Sequence, residues 1–310
     1  MLFEELLDLW LDEKKMYIKR STYAYYSFEV KNYIIPVLGT MNVDEIREEH
    51  IQEAVVCWQN RGMENGKPLK RSTVQNLVTL IKQVLKYAAR KGIIHESFME
   101  IHFVPQKNSE KKSKVFSLDD QNRLVHAVLS DLDYRSFGIL LCINSGLRIG
   151  EVCALKWEDI DMQQGVLHVT KTIQRIYMKN SMPHTQVIIS EPKTISSIRD
   201  IPLSHKILEI IKKLPDVNPK GYILSNTDNF VEPRTFRKFY MAFLQRENIT
   251  PLNFHCLRHT FATRCIESGA DYKSVSEILG HTTINTTMNM YVHPRMEEKR
   301  KCVELICWGE

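Results

Sequence analysis

The stretch H-C-L-R-H-T-F-A-T, residues 255–263, decides how the second half of the chain is interpreted. An α-helix turns once in about 3.6 residues, so His255 and Arg258 lie on one face of the helix predicted here. On its own, such a pair is an ordinary polar surface patch. His255 and His259 also have the spacing of two zinc ligands, but Cys256 stands where a zinc protease carries glutamate and no carboxylate is near. The pattern therefore disfavours a metal site.

Three other segments concentrate polar residues that an ordinary helix or strand does not need. They are S-G-L-R-I-G-E-V-C-A-L-K-W at 145–157, E-P-K-T-I-S-S-I-R-D-I-P-L at 191–203 and L-G-H-T-T-I-N-T-T-M-N-M-Y at 279–291. Each segment has a simple structural explanation when it is taken alone. Arg148 has Glu151 as a partner three residues later, His281 follows a helix end, and Tyr291 suits a core or rim position. Only the combination calls for a functional explanation.

Taken together, the four segments resemble the active site of the tyrosine recombinase, or phage integrase, family. In chain order the matching residues are Arg148, Lys193, His255, Arg258, His281 and Tyr291. The neighbours that also fit the family pattern are Glu151, Leu155, Ser196, Arg199, Ile201, Pro202, Leu203, Thr260, Phe261, Ala262, Leu279 and Gly280. The resemblance covers essentially the whole chain, because residues 1–103 look like the family's core-binding domain. Its helices ending in Y-I-I-P-V-L-G and containing Q-V-L-K-Y-A-A-R-K-G are typical.

The resemblance implies a role for each matched residue in DNA strand transfer. Tyr291 would be the nucleophile, and it needs help to lose its proton because a tyrosine pKa is normally near ~10. Arg148 and Arg258 would bind the phosphate oxygens, since a guanidinium keeps its charge and presents a planar fork of donors. Lys193 would protonate the leaving 5′-oxygen, His255 would assist proton removal and His281 would donate a hydrogen bond. The product is a 3′-phosphotyrosyl link, and no cofactor, ATP or metal is expected.

Two of these assignments have a rival or an irregularity. Lys171, in V-T-K-T, is also expected on the sheet, but Lys193 is preferred because the Ser-x-x-Arg-x-Ile-Pro-Leu pattern follows it. Tyr291 is the only tyrosine after Tyr272, and it lies ten residues past His281, where many family members have nine. Since one residue turns a helix by about 100°, the tyrosine segment is expected to be presented differently.

Length and composition predict two globular domains, and the residue patterns along the chain predict a mainly α architecture with a small antiparallel β-sheet. The chain has 310 residues, of which 43% are apolar and 25% charged, enough for two ordinary domains with proper cores. We expect a helical SAM-like core-binding domain at 1–105, a polar, lysine-rich linker at 106–116 and a catalytic domain at 117–310. Ser117 with Asp120 has the pattern of a helix-capping box.

The helix predicted after Ser72 is apolar behind and basic in front. Ser72 and Gln75 have the spacing of a capping box, and the exposed face is expected to show Lys82, Lys86 and Arg90. The first hundred residues carry no net charge, so this stretch is a local basic face in a neutral domain. It fits either a solvated helix surface or a contact with DNA phosphates.

Composition also limits the cellular setting. The N-terminus is acidic rather than basic, no apolar run reaches the ~18 residues of a membrane span, and the seven cysteines are scattered. These features predict a cytoplasmic protein without a membrane partner, which in a bacterium would work at the nucleoid.

The resemblance further implies partners and narrows the reaction. The expected partners are double-stranded DNA with inverted-repeat core sites and three more copies of the chain, joined in a tetramer by a C-terminal tail with the apolar residues Met296, Val303, Leu305, Ile306 and Trp308. An accessory DNA-bending or excision factor would be a further partner. The core-binding pattern starts within the first residues, so an arm-binding domain is not expected. Integration, excision, inversion and resolution all fit.

Two other functions compete with recombination. A regulator that binds inverted repeats without chemistry has no use for all six matched groups. A type IB topoisomerase-like enzyme shares the tyrosine chemistry, but the two-domain size and the tail favour strand exchange.

Overall fold

The computed structural model describes residues 1–60, 67–95, 99–103, 115–178, 181–191 and 195–291, with residues 300 and 304. At residues 195 and 289–291 only the backbone is described. The chain divides into two compact units. One unit comprises Met1–Glu110 and Arg175–Gln186, and the other comprises Lys111–Gln174 and Val187–Glu310.

The first unit is helical. Its helices are α1 Phe3–Lys14, α2 Arg20–Glu29, a π-helical turn Val30–Ile34, α3 Ile35–Leu38, α4 Glu48–Asn60 and α5 Arg71–Arg90. Trp10 and Trp58 are both buried in its core. Helix α3 follows the π-helical turn directly, with Pro36 in its first turn, and the chain stays helical through Leu38.

Helix α5 has one buried and one exposed face. Its buried residues are Val74, Leu77, Val78, Leu80, Ile81, Val84, Leu85, Tyr87 and Ala88. The predicted DNA-contacting residues Lys82, Lys86 and Arg90 are all exposed on the opposite side. The predicted capping box at Ser72 is wrong, because α5 already begins at Arg71 and no side chain caps it.

The second unit is mainly helical, with a small antiparallel sheet. Its helices are α6 Leu118–Ser130, α7 Tyr134–Ser145, α8 Ile149–Ala154, α9 His205–Lys213, α10 Pro233–Arg246, α11 His255–Glu267, α12 Tyr272–Leu279 and α13 Ile284–Tyr291. Strands β1 Ile160–Asp161, β2 Val166–Val169 and β5 Arg199–Pro202 belong to this unit, whereas β3 Thr172–Tyr177 and β4 Thr185–Ser190 are divided between the two units. The mainly helical fold predicted from the sequence is thereby confirmed.

The strands form two separate sheets instead of one. Strands β1, β2 and β5 form an antiparallel sheet in that order, with Leu167 opposite Ile201, and β3 pairs with β4. Outside the named strands, Tyr222 and Lys156 form an isolated antiparallel bridge.

The second core includes the last residue of the predicted linker. Most of the linker 106–116 lies outside the described residues, but Phe116 is fully buried. Its N–H donates to Thr260 Oγ1 at 3.0 Å, and its carbonyl accepts from Arg264 Nη2 at 2.8 Å. Phe116 therefore belongs to the second core. The predicted cap is confirmed, because Ser117 Oγ accepts from the Asp120 N–H at 3.0 Å.

Two glycines with positive φ bring the end of α7 close to the end of α12. Gly146 ends α7 at φ 65°, and a Cβ there would lie 2.7 Å from Leu279 Cδ2. Gly280 ends α12 at φ 64°, and a Cβ there would lie 2.9 Å from the Ser196 carbonyl oxygen. Both positions need the conformation and the small size of glycine.

Within the described part of the chain, no helix combines the length and apolarity needed to cross a membrane.

Candidate active site

The C-terminal end of α12 gathers three arginines from different parts of the second unit. Three successive carbonyls each accept a hydrogen bond from a different guanidinium: Ile278 O from Arg199 Nε, Leu279 O from Arg258 Nη2 and Gly280 O from Arg148 Nη2. The last carbonyls of a helix lack partners within the helix and carry partial negative charge. The end of α12 is therefore a ready acceptor for cations, and it holds three of them side by side.

Arg258 is the most deeply buried of the three. It lies on α11 and is only 1% exposed. Its Nη1 donates to the Gly146 carbonyl at 2.8 Å, while Nη2 donates to Leu279. The guanidinium thus joins the α7 end to the α12 end, and it contributes a fixed positive charge to the site.

Arg148 reaches the same place from the start of α8 and keeps contact with solvent. Its side chain is 36% exposed. Its Nη1 lies 2.7 Å from Glu151 Oε1, and its backbone N–H donates to Glu151 Oε2 at 2.9 Å. Glu151 therefore both caps α8 and orients the Arg148 guanidinium.

Glu151 is shared between two arginines. Its carboxylate accepts from Arg199 Nη2 at 2.9 Å and from Arg199 Nη1 at 3.2 Å, and Arg199 comes from β5. Burial would raise the Glu151 pKa, but the hydrogen bonds and charge of Arg199, together with the charge of Arg148, outweigh burial and lower it. Glu151 is therefore an anion at neutral pH although it is almost completely buried.

His255 and His281 flank the arginines. Although His255 lies at the surface, partial loss of water around its ring lowers its pKa to about 4, assisted by His259, Arg258 and Arg148. The edge of one ring faces the other in the His255–His259 pair, with centroids 4.5 Å apart. The pKa of His281 is also lowered to about 4, first by burial and then by Arg258 and Arg148. Both imidazoles are neutral at pH 7.

His281 is connected to the helix that ends at Tyr291. Its Nδ1 lies 2.8 Å from the hydroxyl of Thr287, a fully buried residue of α13. Sequence analysis missed Thr287, and its place in T-T-I-N-T-T offers no signal that separates it from the neighbouring threonines.

The structure describes some of the other predicted site residues and leaves others outside its described part. Tyr291 is the last residue of α13, and its side chain lies outside the described atoms. Lys193 falls in 192–194, outside the described residues. Its rival Lys171 is exposed between β2 and β3. Arg148, His255, Arg258 and His281 are brought together, whereas Lys82, Lys86 and Arg90 belong to the first unit.

Among the residues that the structure describes, no three His, Cys, Asp or Glu side chains are grouped so that they could hold a metal ion.

Comparison with protein families identifies the chain. The phage integrase family matches residues 114–298, and the phage integrase N-terminal SAM-like domain matches residues 2–59. The first match alone spans more than half of the sequence, so the chain belongs to the phage integrase family. These are tyrosine recombinases, which recombine DNA at specific sites by cleaving and rejoining strands through a phosphotyrosyl intermediate. The resemblance seen in the sequence is confirmed.

Curated relatives extend over nearly the whole chain. A tyrosine recombinase XerC-like protein of Caldanaerobacter subterraneus subsp. tengcongensis is 28% identical over 97% of this chain and 82% of the relative. The ICEBs1 integrase of Bacillus subtilis is 23% identical, over 94% of this chain and 78% of its own length.

Solved structures share the fold at lower identity. The Tn1549 transposon integrase in complex with transposon right end DNA superposes with a TM-score of 0.80 at 19% identity, covering 99% of both chains. A lambda integrase dimer bound to a core site superposes with a TM-score of 0.67 at 18% identity, covering 94% of this chain and 96% of that one. At such identities the likeness concerns the fold.

Proposed function

We propose that this chain is a site-specific recombinase in which Tyr291 is the nucleophile and Arg148, Arg258, His255, His281 and Lys193 assist it. The observation that carries the proposal is the convergence of two arginines and two histidines at the end of α12, beside the helix that ends at Tyr291. Two fixed cations suit a phosphodiester, whose charge grows on the non-bridging oxygens in the transition state.

The proposed step is a transesterification in which atoms and charges balance. The Tyr291 oxygen attacks phosphorus, a phosphorus–tyrosine bond forms and the bond to the 5′-oxygen breaks. His255 takes the tyrosine proton, a role that needs the neutral ring that a pKa of about 4 provides. Lys193 gives a proton to the leaving 5′-oxygen. The reverse step, with a 5′-hydroxyl from another strand, rejoins the DNA.

The two arginines would contribute differently to phosphate binding. Arg148 is partly exposed, so its guanidinium can meet a phosphate that arrives from solvent. Arg258 is buried with its fork on two carbonyls, so it supplies charge from a fixed position. The neutral His281 ring would add a hydrogen bond.

The proposed partners are DNA and further copies of the chain. The substrate would be double-stranded DNA with inverted-repeat core sites, bound by a tetramer that the C-terminal tail links. This tail lies outside the described residues, apart from residues 300 and 304. Lys82, Lys86 and Arg90 would contact phosphates, and Lys193 rather than Lys171 would be the acid. The site of action would be the bacterial cytoplasm, where an accessory bending or excision factor would assist.

The test is covalent trapping on nicked duplexes made from DNA around the gene, followed by denaturing gels. We expect a protein–DNA band with the parent and none with Tyr291→Phe, whose affinity for DNA should stay nearly unchanged. Tyr272→Phe is the matched control, since Tyr272 is also a tyrosine of the second unit, at the start of α12. This control should form the band at the parental rate.

Each other outcome points to a different function. Specific DNA retention without a covalent band would favour a non-catalytic regulator. A band accompanied by plasmid relaxation, with no junction or exchanged product, would favour topoisomerase-like activity. A band that persists in Tyr291→Phe would overturn the assignment of the nucleophile.

A further inference from the structure

Arg199 occupies a buried position between three parts of the candidate site without reaching the surface. Its side chain is only 6% exposed. One side of its guanidinium forks onto Glu151, and its Nε donates to the Ile278 carbonyl at the end of α12. Its Nη1 also donates to the Ser197 carbonyl at 3.0 Å. Strand pairing opposite Val169 fixes the backbone of Arg199 in the sheet.

We infer that Arg199 is a positioning residue for strand cleavage, which acts by sharing the Glu151 carboxylate with Arg148 and by tying that carboxylate to the turn before His281. The inference rests on the proposed function, and it gives Arg199 a task distinct from that of the arginines that would meet the phosphate. At 6% exposure, Arg199 acts through its neighbours.

The first part of the task is electrostatic. Arg148 and Glu151 alone form a pair whose charges cancel, which would weaken the attraction of Arg148 for a phosphate. Arg199 adds a second cation to the same carboxylate, so the three side chains together keep a net positive charge. Because the group is largely buried, water screens this charge poorly and it acts over the width of the site.

The second part of the task is geometric. A Cβ on Gly280 would lie 3.2 Å from Arg199 Cδ, so the Arg199 side chain packs directly against the turn that leads into His281. Through Ile278 and Glu151, the same guanidinium sets the distance between the α12 end and the start of α8. The guanidinium presents donors on three nitrogens in one plane and so reaches both acceptors at once, whereas the three N–H donors of a lysine share one nitrogen and cannot span the same distance.

The test compares Arg199→Met, which removes the charge, with Arg199→Lys, which keeps the charge and loses the fork. Asp200→Asn is the matched control on the same strand, because Asp200 and its partner His168 are largely exposed. We expect single-turnover cleavage of nicked DNA to fall on the order of 10- to 100-fold in Arg199→Met and less in Arg199→Lys. DNA affinity should change by less than about threefold, and Asp200→Asn should behave like the parent.

A double variant separates the charge-balancing task from simple packing. In Arg199→Met with Glu151→Gln, the anion that cancels the charge of Arg148 is gone, so cleavage should be faster than in Arg199→Met alone. If Arg199 only fills space, the two losses will add and no recovery will occur. Unchanged cleavage in Arg199→Met would overturn the inference outright.

Thermal unfolding without DNA provides a readout that does not depend on catalysis. Arg148 at the start of α8 and Arg199 on β5 act electrostatically on Glu151, which in turn acts on His255 on α11 and on Cys142 on α7. Without Arg199, the pKa of the buried Glu151 rises, so the variant loses stability at pH 7, and the gap to the parent closes as the pH falls toward 4. A gap that is independent of pH would show that Arg199 does not hold Glu151 charged.

If the parent forms no Tyr291-dependent band, the proposed function fails, and the positioning role in cleavage fails with it. The pH arm still decides the electrostatic part.

Discussion

At the scale of single residues, main-chain carbonyl groups hold the arginines of the candidate site in place. Arg258, Arg148 and Arg199 each donate a hydrogen bond to a main-chain carbonyl at the end of α12. Charged donors on such carbonyls form some of the stronger hydrogen bonds in proteins, each contributing roughly 1.5–3 kcal/mol. The arginines are therefore held in place before any DNA arrives, which is the condition for electrostatic preorganisation.

The lowered histidine pKa values predict how stability depends on pH. The pKa of His255 and His281 is about 4 in the folded state and about 6.5 when unfolded. The unfolded chain therefore binds more protons between these values. The stability from keeping both rings neutral is complete above about pH 6.5, and it is lost as the pH falls toward 4.

Removal of His281 should flatten this dependence. We expect His281→Gln to lose less stability than the parent when urea unfolding is repeated between pH 7 and 4. His205→Gln, an exposed histidine at the start of α9, is the control and should follow the parental curve. Identical slopes for all three proteins would contradict the pKa assigned to His281.

The identities of the candidate residues could be read from the sequence, but their connections could not. Arg148, Arg258 and His281 stand out because each belongs to a motif that fits the family pattern. The Arg199–Glu151 contact joins residues 48 positions apart, and only the fold brings them together. Thr287 is one hydroxyl among several in its segment, so its bond to His281 could not be foreseen.

At the scale of elements, the turns that end α7 and α12 determine how closely these two helix ends approach each other in the candidate site. Gly146 and Gly280 both adopt positive φ, and both are too crowded for a Cβ. Gly269 ends α11 with φ 83°, but nothing lies within 4 Å of a Cβ built there. Gly146 and Gly280 therefore let neighbouring segments approach closely, in addition to allowing the chain to turn.

This contrast predicts a difference between two alanine variants. Gly269→Ala should cost about 1–2 kcal/mol, the strain of a left-handed alanine. Gly280→Ala carries the same strain and in addition pushes against the Ser196 carbonyl, so it should cost more and should slow strand cleavage. Urea unfolding and covalent trapping measure the two effects. Equal stability and full cleavage in both variants would show that the turn before His281 tolerates displacement.

Helix boundaries were predictable where a local hydrogen bond determines them and not elsewhere. The Ser117–Asp120 cap forms as expected, because both partners are local. The Ser72–Gln75 pattern has the same spacing, but α5 starts one residue earlier at Arg71 and the cap is bypassed.

At the scale of the whole molecule, two cores of similar construction carry different surfaces. The first unit buries the apolar side of α5 and exposes a basic side, whereas the second brings Arg148, Arg199 and Arg258 together in the candidate site. This division predicts that affinity for DNA and the rate of cleavage can be altered separately.

Neutralising the basic face should weaken DNA binding without affecting the folded state. The triple variant Lys82→Gln, Lys86→Gln, Arg90→Gln should bind more weakly and show a shallower salt dependence, by about 0.9 in the logarithmic slope for each phosphate that the protein no longer neutralises. Replacement of the exposed Lys206, Lys212 and Lys213 of α9 by glutamine removes the same number of charges and is the control for net charge. If DNA affinity falls equally in both variants, the basic face of α5 acts only through the overall charge of the protein and makes no direct contact with DNA phosphates.

The three carbonyls at the end of α12 have a consequence for how this sequence can diverge. Any residue that keeps positions 278 and 279 helical presents the same main-chain oxygen, so the arginines do not depend on which side chains stand there. Substitutions that preserve the core around Leu279 therefore leave the acceptors intact. Many surrounding side chains can therefore change during evolution while the guanidinium groups stay in the same positions.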